Sequence, residues 1–399
     1  MAAVYAGGQN RRGQWLPCHD RPVTTGVWLI GASGNVATTV AVGLAALRRQ
    51  MVAATGLMTE LPGIADLDLV PLGELVLGGC DLREPDVPAR ADRLAEVDRV
   101  LSPRLVDAVR PDLEAFAGAI TPGIAAGGPD AIDAVQSGLR RFGEQHGLDR
   151  IAVVNLASTE PPFGGALVAD PDQLRRAIAG RAPIPASAVY AAAALDLGCA
   201  YVNFTPSTGS AMPAHDALAE ERGAVHAGRD GKTGQTLLKT VLAPMFAGRH
   251  LRVLSWFSQN ILGNDDGKNL ADPEARRSKE RSKSQALPEL LGYTPAAHVD
   301  IRYLAPLGDW KVAWDHILFE GFLGTRMTLE LTWHGADSIL AAPLVLDLAR
   351  LCDRALRRGE RGLLDYLAVF FKEPLGSSET SHERQLALLL RHLTGKDSP

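Results

Sequence analysis

The chain has 399 residues, of which 46% are hydrophobic and 22% charged, with a formal net charge of −5. That length exceeds one ordinary core and predicts two domains, or one large domain carrying an insertion. The mildly acidic balance, without any basic block, argues against a nucleic-acid partner, and no apolar window reaches membrane-spanning length. The cysteines Cys18, Cys80, Cys199 and Cys352 lie far apart with no C-x-x-C spacing, which predicts reduced thiols in a cytoplasmic protein.

In chain order, residues 1–19 read as a polar arm with no apolar stretch of signal-peptide length. A buried strand, Val27-Trp28-Leu29-Ile30, then runs into Gly31-Ala32-Ser33-Gly34-Asn35, and an apolar helix follows from Val36 to about Arg49. A strand, a glycine turn and a helix are the physical basis of dinucleotide binding. The turn lets the backbone approach a pyrophosphate, and the helix start supplies N–H groups and partial positive charge. Ser33 and Ala37 depart from a strict glycine fingerprint, so these residues alone leave an ordinary strand-to-helix turn open. A second apolar run, Val76-Leu77-Gly78-Gly79-Cys80-Asp81, ends in an acid placed to bond a ribose and to disfavour a 2′-phosphate. The gap from Gly34 to Asp81 is much longer than the usual spacing of about twenty residues.

Residues 88–147 carry Ala/Leu-patterned helices, interrupted by a Gly/Pro-rich stretch around Pro122 to Pro129. The apolar runs Ile151–Leu156 and Ala200–Phe204 are of strand length, and their interleaving with helices predicts an α/β fold with a mostly parallel sheet. Ala157-Ser158-Thr159-Glu160 follows the first of them, where Ser158 and Thr159 also suit helix capping. Gly228-Arg229-Asp230-Gly231-Lys232-Thr233-Gly234-Gln235-Thr236 precedes an apolar helix whose start is either an anion site or a plain cap.

Beyond residue 237 the pattern changes. Leu251–Phe257, His298–Leu304, Val312–Glu320 and Arg326–Trp333 read as strands. The last alternates Met327, Leu329, Leu331 and Trp333 with polar residues, as in a sheet with one buried face in an inserted domain or an oligomer interface. Between them, Ser258-Gln259-Asn260-Ile261-Leu262-Gly263-Asn264-Asp265-Asp266-Gly267-Lys268-Asn269-Leu270 reads as a tight polar loop suited to a hydroxylated substrate. In Arg277-Ser278-Lys279-Glu280-Arg281-Ser282-Lys283, two lysines four apart share a helix face, where like charges repel. Gly308-Asp309-Trp310-Lys311 turns a further lysine inward, and Phe371-Lys372-Glu373-Pro374 sets another before a proline. From Ser338 the chain reads as helical to its end, with Asp337 as N-cap.

The run from Asn260 to Lys283 resembles the myo-inositol-1-phosphate synthase family, whose sequences carry N-x-L-G-N-N-D-G-x-N-L followed by R-S-K-E-x-S-K; Ile261 and Asp265 are the departures. Further matches are G-G-x-D at Asp81, A-N-T-E at Ala157 to Glu160, and G-D-D-x-K-S-G-Q-T at Gly228 to Thr236. V-G-D-S-K matches at Leu307 to Lys311, with Trp310 for Ser; L-K-x-P-L matches at Phe371 to Leu375, and E-D-S-L-L-A-A-P around Asp337 to Pro343. The resemblance spans roughly residues 26–375. It implies a Rossmann-type NAD-binding domain at 20–237, an inserted α+β catalytic and tetramer-forming domain at 238–339, and C-terminal helices at 340–399 that return to the core.

By the same resemblance the cofactor is NAD, held by Gly31, Ala32, Ser33, Gly34, Asn35, Val36, Asp81, Ser158, Thr159, Asp230, Asp337 and Ser338. Substrate binding falls to Asn260, Asn264, Thr233, Gly234, Gln235 and Thr236, and catalysis to Lys279, Lys283, Lys311, Lys372, Asp309 and Asp266. The implied reaction converts D-glucose 6-phosphate to an inositol monophosphate by C5 oxidation, enolisation, intramolecular aldol closure and re-reduction. The enolate and the aldol alkoxide need cations close by in a dry site, which gives several lysines a purpose. Two alternatives stay open: a paralogue acting on another sugar phosphate, and an ordinary NAD-linked dehydrogenase. No Cys/His cluster suits a transition metal, while Asp265, Asp266 and Asp337 suit a hard or monovalent cation.

Overall fold

The computed structural model describes residues 24–165, 167–180, 184–263 and 287–395. Two sheets organise it. The first contains β1 (Thr25–Ile30), β2 (Leu75–Asp81), β3 (Ile120–Pro122), β4 (Arg150–Asn155), β5 (Ala200–Asn203), β6 (Val225–Gly228) and β11 (Gly362–Leu363). Their order is β11-β6-β5-β4-β1-β2-β3, and every neighbouring pair is parallel. A sheet covered on both faces demands continuous apolar strands, and β1 is buried along its whole length. The helices Asn35–Arg48 and Asp337–Arg357 pack on one face, and Ala131–His146 and Ala186–Asp196 on the other. Strand order reverses between β1 and β4, so their carboxyl ends open the crevice where such sheets bind ligands.

The second sheet contains β7 (Arg252–Leu262), β8 (Ala296–Tyr303), β9 (Trp310–Glu320) and β10 (Arg326–Ala336), ordered β10-β9-β7-β8. β7 and β8 are parallel and the remaining pairs antiparallel. Its inner face packs on the helix Gln235–Gly248 through Ala243, Phe246, Val253, Trp256 and Ile317. Along β9 the two-residue period sends Lys311, Ala313, Asp315 and Ile317 inward and leaves Val312, Trp314, His316 and Leu318 half-exposed.

Two expectations are corrected here. Asn260 is not a loop residue: β7 continues to Leu262, and Asn260 pairs with Ile301 and Ala313. The chain is not helical from Ser338 to its end, because Gly362–Leu363 adds an edge strand beside β6 before the helix His382–Thr394. The alternating apolar residues of β10 are only partly covered in the monomer, and Met327 is 39% exposed.

Candidate active site

At the end of β1, Gly31 adopts a φ of +81°, and a Cβ there would lie 2.8 Å from the Cα of Ala157. Glycine is therefore required both by conformation and by the close pass of the loop after β4. The Gly31 and Ala32 N–H groups donate to the Cys80 carbonyl at 2.9 and 3.2 Å, which locks the turn to the end of β2. Asp81, the last residue of β2, accepts from the Ser33 N–H at 2.9 Å and from the Arg83 N–H at 3.0 Å. Gly34 caps the helix Asn35–Arg48 with no side-chain hydrogen bond, so the first N–H groups of the helix have no side-chain cap. Ser33 Oγ is buried and has no hydrogen-bond partner among the described residues. An uncapped helix start beside an orphaned hydroxyl fits the pyrophosphate of a dinucleotide, with Asp81 at the ribose position and Val36 half-buried in the first turn.

The second sheet reaches this turn through one carboxylate. Asn35 Nδ2 donates to Asp309 Oδ1 at 2.9 Å, while Asp309 Oδ2 accepts from the N–H and hydroxyl of Ser338 at 3.2 and 2.6 Å. Burial pushes the Asp309 carboxyl above its ordinary range, and the charge of Asp337 adds to this against the hydrogen bonds from Ser338 and Asn35. Asp309, not Asp337, thus serves the start of the helix Asp337–Arg357; Ala336 is the N-cap position, and Asp337 pairs with Lys311. Trp310 anchors the same corner by donating Nε1–H to the Asp98 carbonyl at 2.7 Å, a contact that accounts for the indole at this position.

Lys311 points inward from β9 onto a second uncapped helix start. A Cβ on Gly234, the N-cap of the helix Gln235–Gly248, would lie 2.8 Å from Lys311 Nζ. Gln235 donates Nε2–H to Asp315 at 2.9 Å and accepts from Asn260 Nδ2 at 2.7 Å, and Thr233 and Thr236 flank the turn half-buried. Lys372 arrives from the far end of the chain. Residues 228–232 run alongside 370–375, with hydrogen bonds from Leu375 N–H to the Gly228 carbonyl (2.7 Å), Lys372 N–H to the Asp230 carbonyl (2.7 Å) and Lys232 N–H to the Phe370 carbonyl (2.8 Å). That pairing sets Lys372 Nζ 2.7 Å from Asp230 Oδ1.

Ser158 and Thr159 sit exposed in the loop after β4, at the crevice, and no helix begins there, so capping is not their role. Asn264, Asp265, Asp266, Lys279 and Lys283 lie outside the described residues. Among the described residues no group of three or more His, Cys, Asp or Glu side chains is placed to hold a metal ion. Sequence reasoning quoted Lys232 without giving it a role and missed Lys239 and Asp315; all three are buried. The signal for Lys239 is its spacing: Gln235, Lys239, Ala243 and Phe246 form one buried stripe at helical period.

A dinucleotide-type turn tied through Asn35 to Asp309, and a second uncapped helix start seated against Lys311 two residues further along the chain, fit a Rossmann-type enzyme that takes a dinucleotide and an anionic substrate. The sequence model of the myo-inositol-1-phosphate synthase family, an NAD-binding family, matches residues 25–394. The chain is 33% identical to inositol-3-phosphate synthase 1 of Bacteroides thetaiotaomicron, over 94% of this chain and 96% of that one. It therefore belongs to this family. Its fold is similar to that of inositol-3-phosphate synthase from Caenorhabditis elegans, with a TM-score of 0.83 at 24% identity over 94% of this chain and 86% of the other. It is also similar to a myo-inositol-1-phosphate synthase-related protein from Thermotoga maritima, with a TM-score of 0.73 at 26% identity over 94% and 100%.

Proposed function

We propose that this enzyme is an inositol-3-phosphate synthase that converts D-glucose 6-phosphate to 1D-myo-inositol 3-phosphate. The observation that carries the reading is the seat of Lys311 against Gly234, with Asp309 linking the same strand start to Asn35 of the dinucleotide turn. A simple dehydrogenase needs the turn and one proton carrier; it gives no purpose to two aspartate-paired amines, one of them seated against a second uncapped helix start. Bound NAD, held at the Gly31–Val36 turn, would supply a reversible hydride acceptor for the oxidation and re-reduction at C5 of the sugar.

The residues supply the rest. The helix start at Thr233, Gly234, Gln235 and Thr236 receives the phosphate oxygens at a first turn that has no side-chain cap, and Asn260 binds a sugar hydroxyl from the strand behind. Lys311 stands between that helix start and Asp337, so its protons reach the phosphate and the C5 oxygen. Lys372, steadied by Asp230, offers its ammonium to the oxyanion that grows during enolisation and aldol closure. Removal of a C6 proton falls to an amine of the set Lys279, Lys283, Lys311 and Lys372, aided by Asp266 and Asp309. Gly31 to Val36, Asp81, Ser158, Thr159, Asp230, Asp337 and Ser338 hold the cofactor.

We assign the cofactor domain to 20–237, the catalytic domain to 238–339 and the returning helices to 340–399. We also propose a cytoplasmic homotetramer. Three buried free thiols, Cys80, Cys199 and Cys352, suit a reducing compartment. No helix of the described residues is long and apolar enough to cross a membrane. The outer face of the second sheet carries a half-exposed aromatic row in which Phe257 stacks on His298 at 5.5 Å and meets Trp314 at 5.7 Å, suiting a protein contact.

Incubation of pure protein with glucose 6-phosphate and NAD, followed by NMR of the phosphorylated product, tests the activity. An inositol monophosphate without accumulating NADH is expected; stoichiometric NADH and an oxidised sugar would establish a dehydrogenase instead.

A further inference from the structure

Lys239 follows Gln235 by one helical turn and faces the same way, toward the inner face of the second sheet. It is 2% exposed, and its Nζ has no hydrogen-bond partner among the described residues. Its Nζ lies 6.0 Å from the centroid of the Trp256 ring. Asp315, 1% exposed, acts on it electrostatically. Asp315 is ringed by donors: Trp256 Nε1 at 2.7 Å and the Ser258 hydroxyl at 2.5 Å on Oδ1, and Gln235 Nε2 at 2.9 Å on Oδ2. Gln235 in turn accepts from Asn260 Nδ2 at 2.7 Å through its own carbonyl oxygen.

A side-chain amide has a donor end and an acceptor end, so each neighbour dictates which way the next one faces. An anionic Asp315 only accepts; it draws the Gln235 amino group inward and turns the Gln235 carbonyl to Asn260. A buried carboxylate anion is costly without a cation at hand. We propose that Lys239 is a positioning residue, the counter-ion of Asp315, which fixes the direction of the Gln235 and Asn260 amides and thereby the start of the helix that receives the sugar phosphate. This rests on the reading of that helix start as the phosphate site. Burial draws the Lys239 amine down to about 8, with Asp315 pulling upward, which leaves it a cation at neutral pH.

Lys239→Met keeps the length of the side chain and removes the charge. Calorimetric titration with glucose 6-phosphate in the presence of NAD is expected to show an affinity about tenfold weaker with NAD affinity unchanged, while the unfolding temperature falls because Asp315 is left buried without its cation. In an Asp315→Asn background the same substitution is expected to add nothing, because the charge that Lys239 answers is gone. Additive losses overturn the proposal, as does wild-type affinity for glucose 6-phosphate in Lys239→Met. Equal losses for sugar phosphate and NAD also overturn it and make the lysine merely structural. Should Lys239→Met not fold, Lys239→Gln carries the same comparison. If the wild-type chain takes up no glucose 6-phosphate, the functional reading falls separately, and the same variants titrated with inorganic phosphate still decide the role of Lys239.

Discussion

Lys311 and Lys372 each lean on an aspartate, Asp337 and Asp230, and each stands beside a loop or helix start that has been assigned to an anion. Replacing either by alanine is expected to reduce product formation about a hundredfold or more, the cost of losing a cation that faces a developing oxyanion. NAD affinity and the unfolding midpoint should hold, which fluorescence titration and thermal melting check. Near-normal turnover in either variant would remove that lysine from the chemistry. His215 supplies a different kind of prediction. It is fully buried, donates Nε2–H to the Ala188 carbonyl at 3.0 Å, and desolvation pulls its pKa down to about 4. With the folded value below the unfolded one, the unfolded chain binds the proton first as the pH falls. Stability is therefore complete above about 6.5 and declines toward 4, by about 3 kcal/mol from this residue. Urea midpoints measured across that range should fall more steeply in the wild type than in His215→Gln; parallel slopes would contradict the assignment.

The glycine turn after β1 is the element on which cofactor binding depends. Gly31→Ala places a Cβ against the Ala157 backbone and strains a left-handed residue, so NAD affinity should drop at least about tenfold while the sheet survives. Equilibrium dialysis with NAD measures this, and unchanged affinity would separate the turn from the cofactor. How far these elements were legible in the sequence depends on the period of the pattern. β1, β4 and β5 were found within a residue or two because strands buried on both faces read as unbroken apolar runs. β7 was cut short at Phe257 because Ser258 and Asn260 look like loop residues, although both point inward and are satisfied by Asp315 and Gln235. β11 was missed because two residues carry no period at all. In the site, Lys311 and Lys372 stood out beside Gly, Asp and Pro. Lys239 and Asp315 did not, since a charged residue within an apolar run reads as solvent-facing until the partner strand is in place.

Taken whole, the molecule keeps its parallel sheet enclosed and leaves the outer face of the second sheet half-open, with Trp314 central on it. If four copies meet there, Trp314→Glu should shift the sedimentation coefficient toward a smaller species without changing the far-ultraviolet circular dichroism. An unaltered coefficient would move the contact elsewhere. The pairing of residues 228–232 with 370–375 has a consequence in time. A ribosome making this chain releases the Gly31 turn and strands β1, β2, β4 and β5 long before it adds Lys372, the amine that Asp230 is waiting for. The site is therefore complete only once residues 370–375 have returned to 228–232, so a chain that ended just short of Lys372 would lack both the amine and the backbone pairing that seats it.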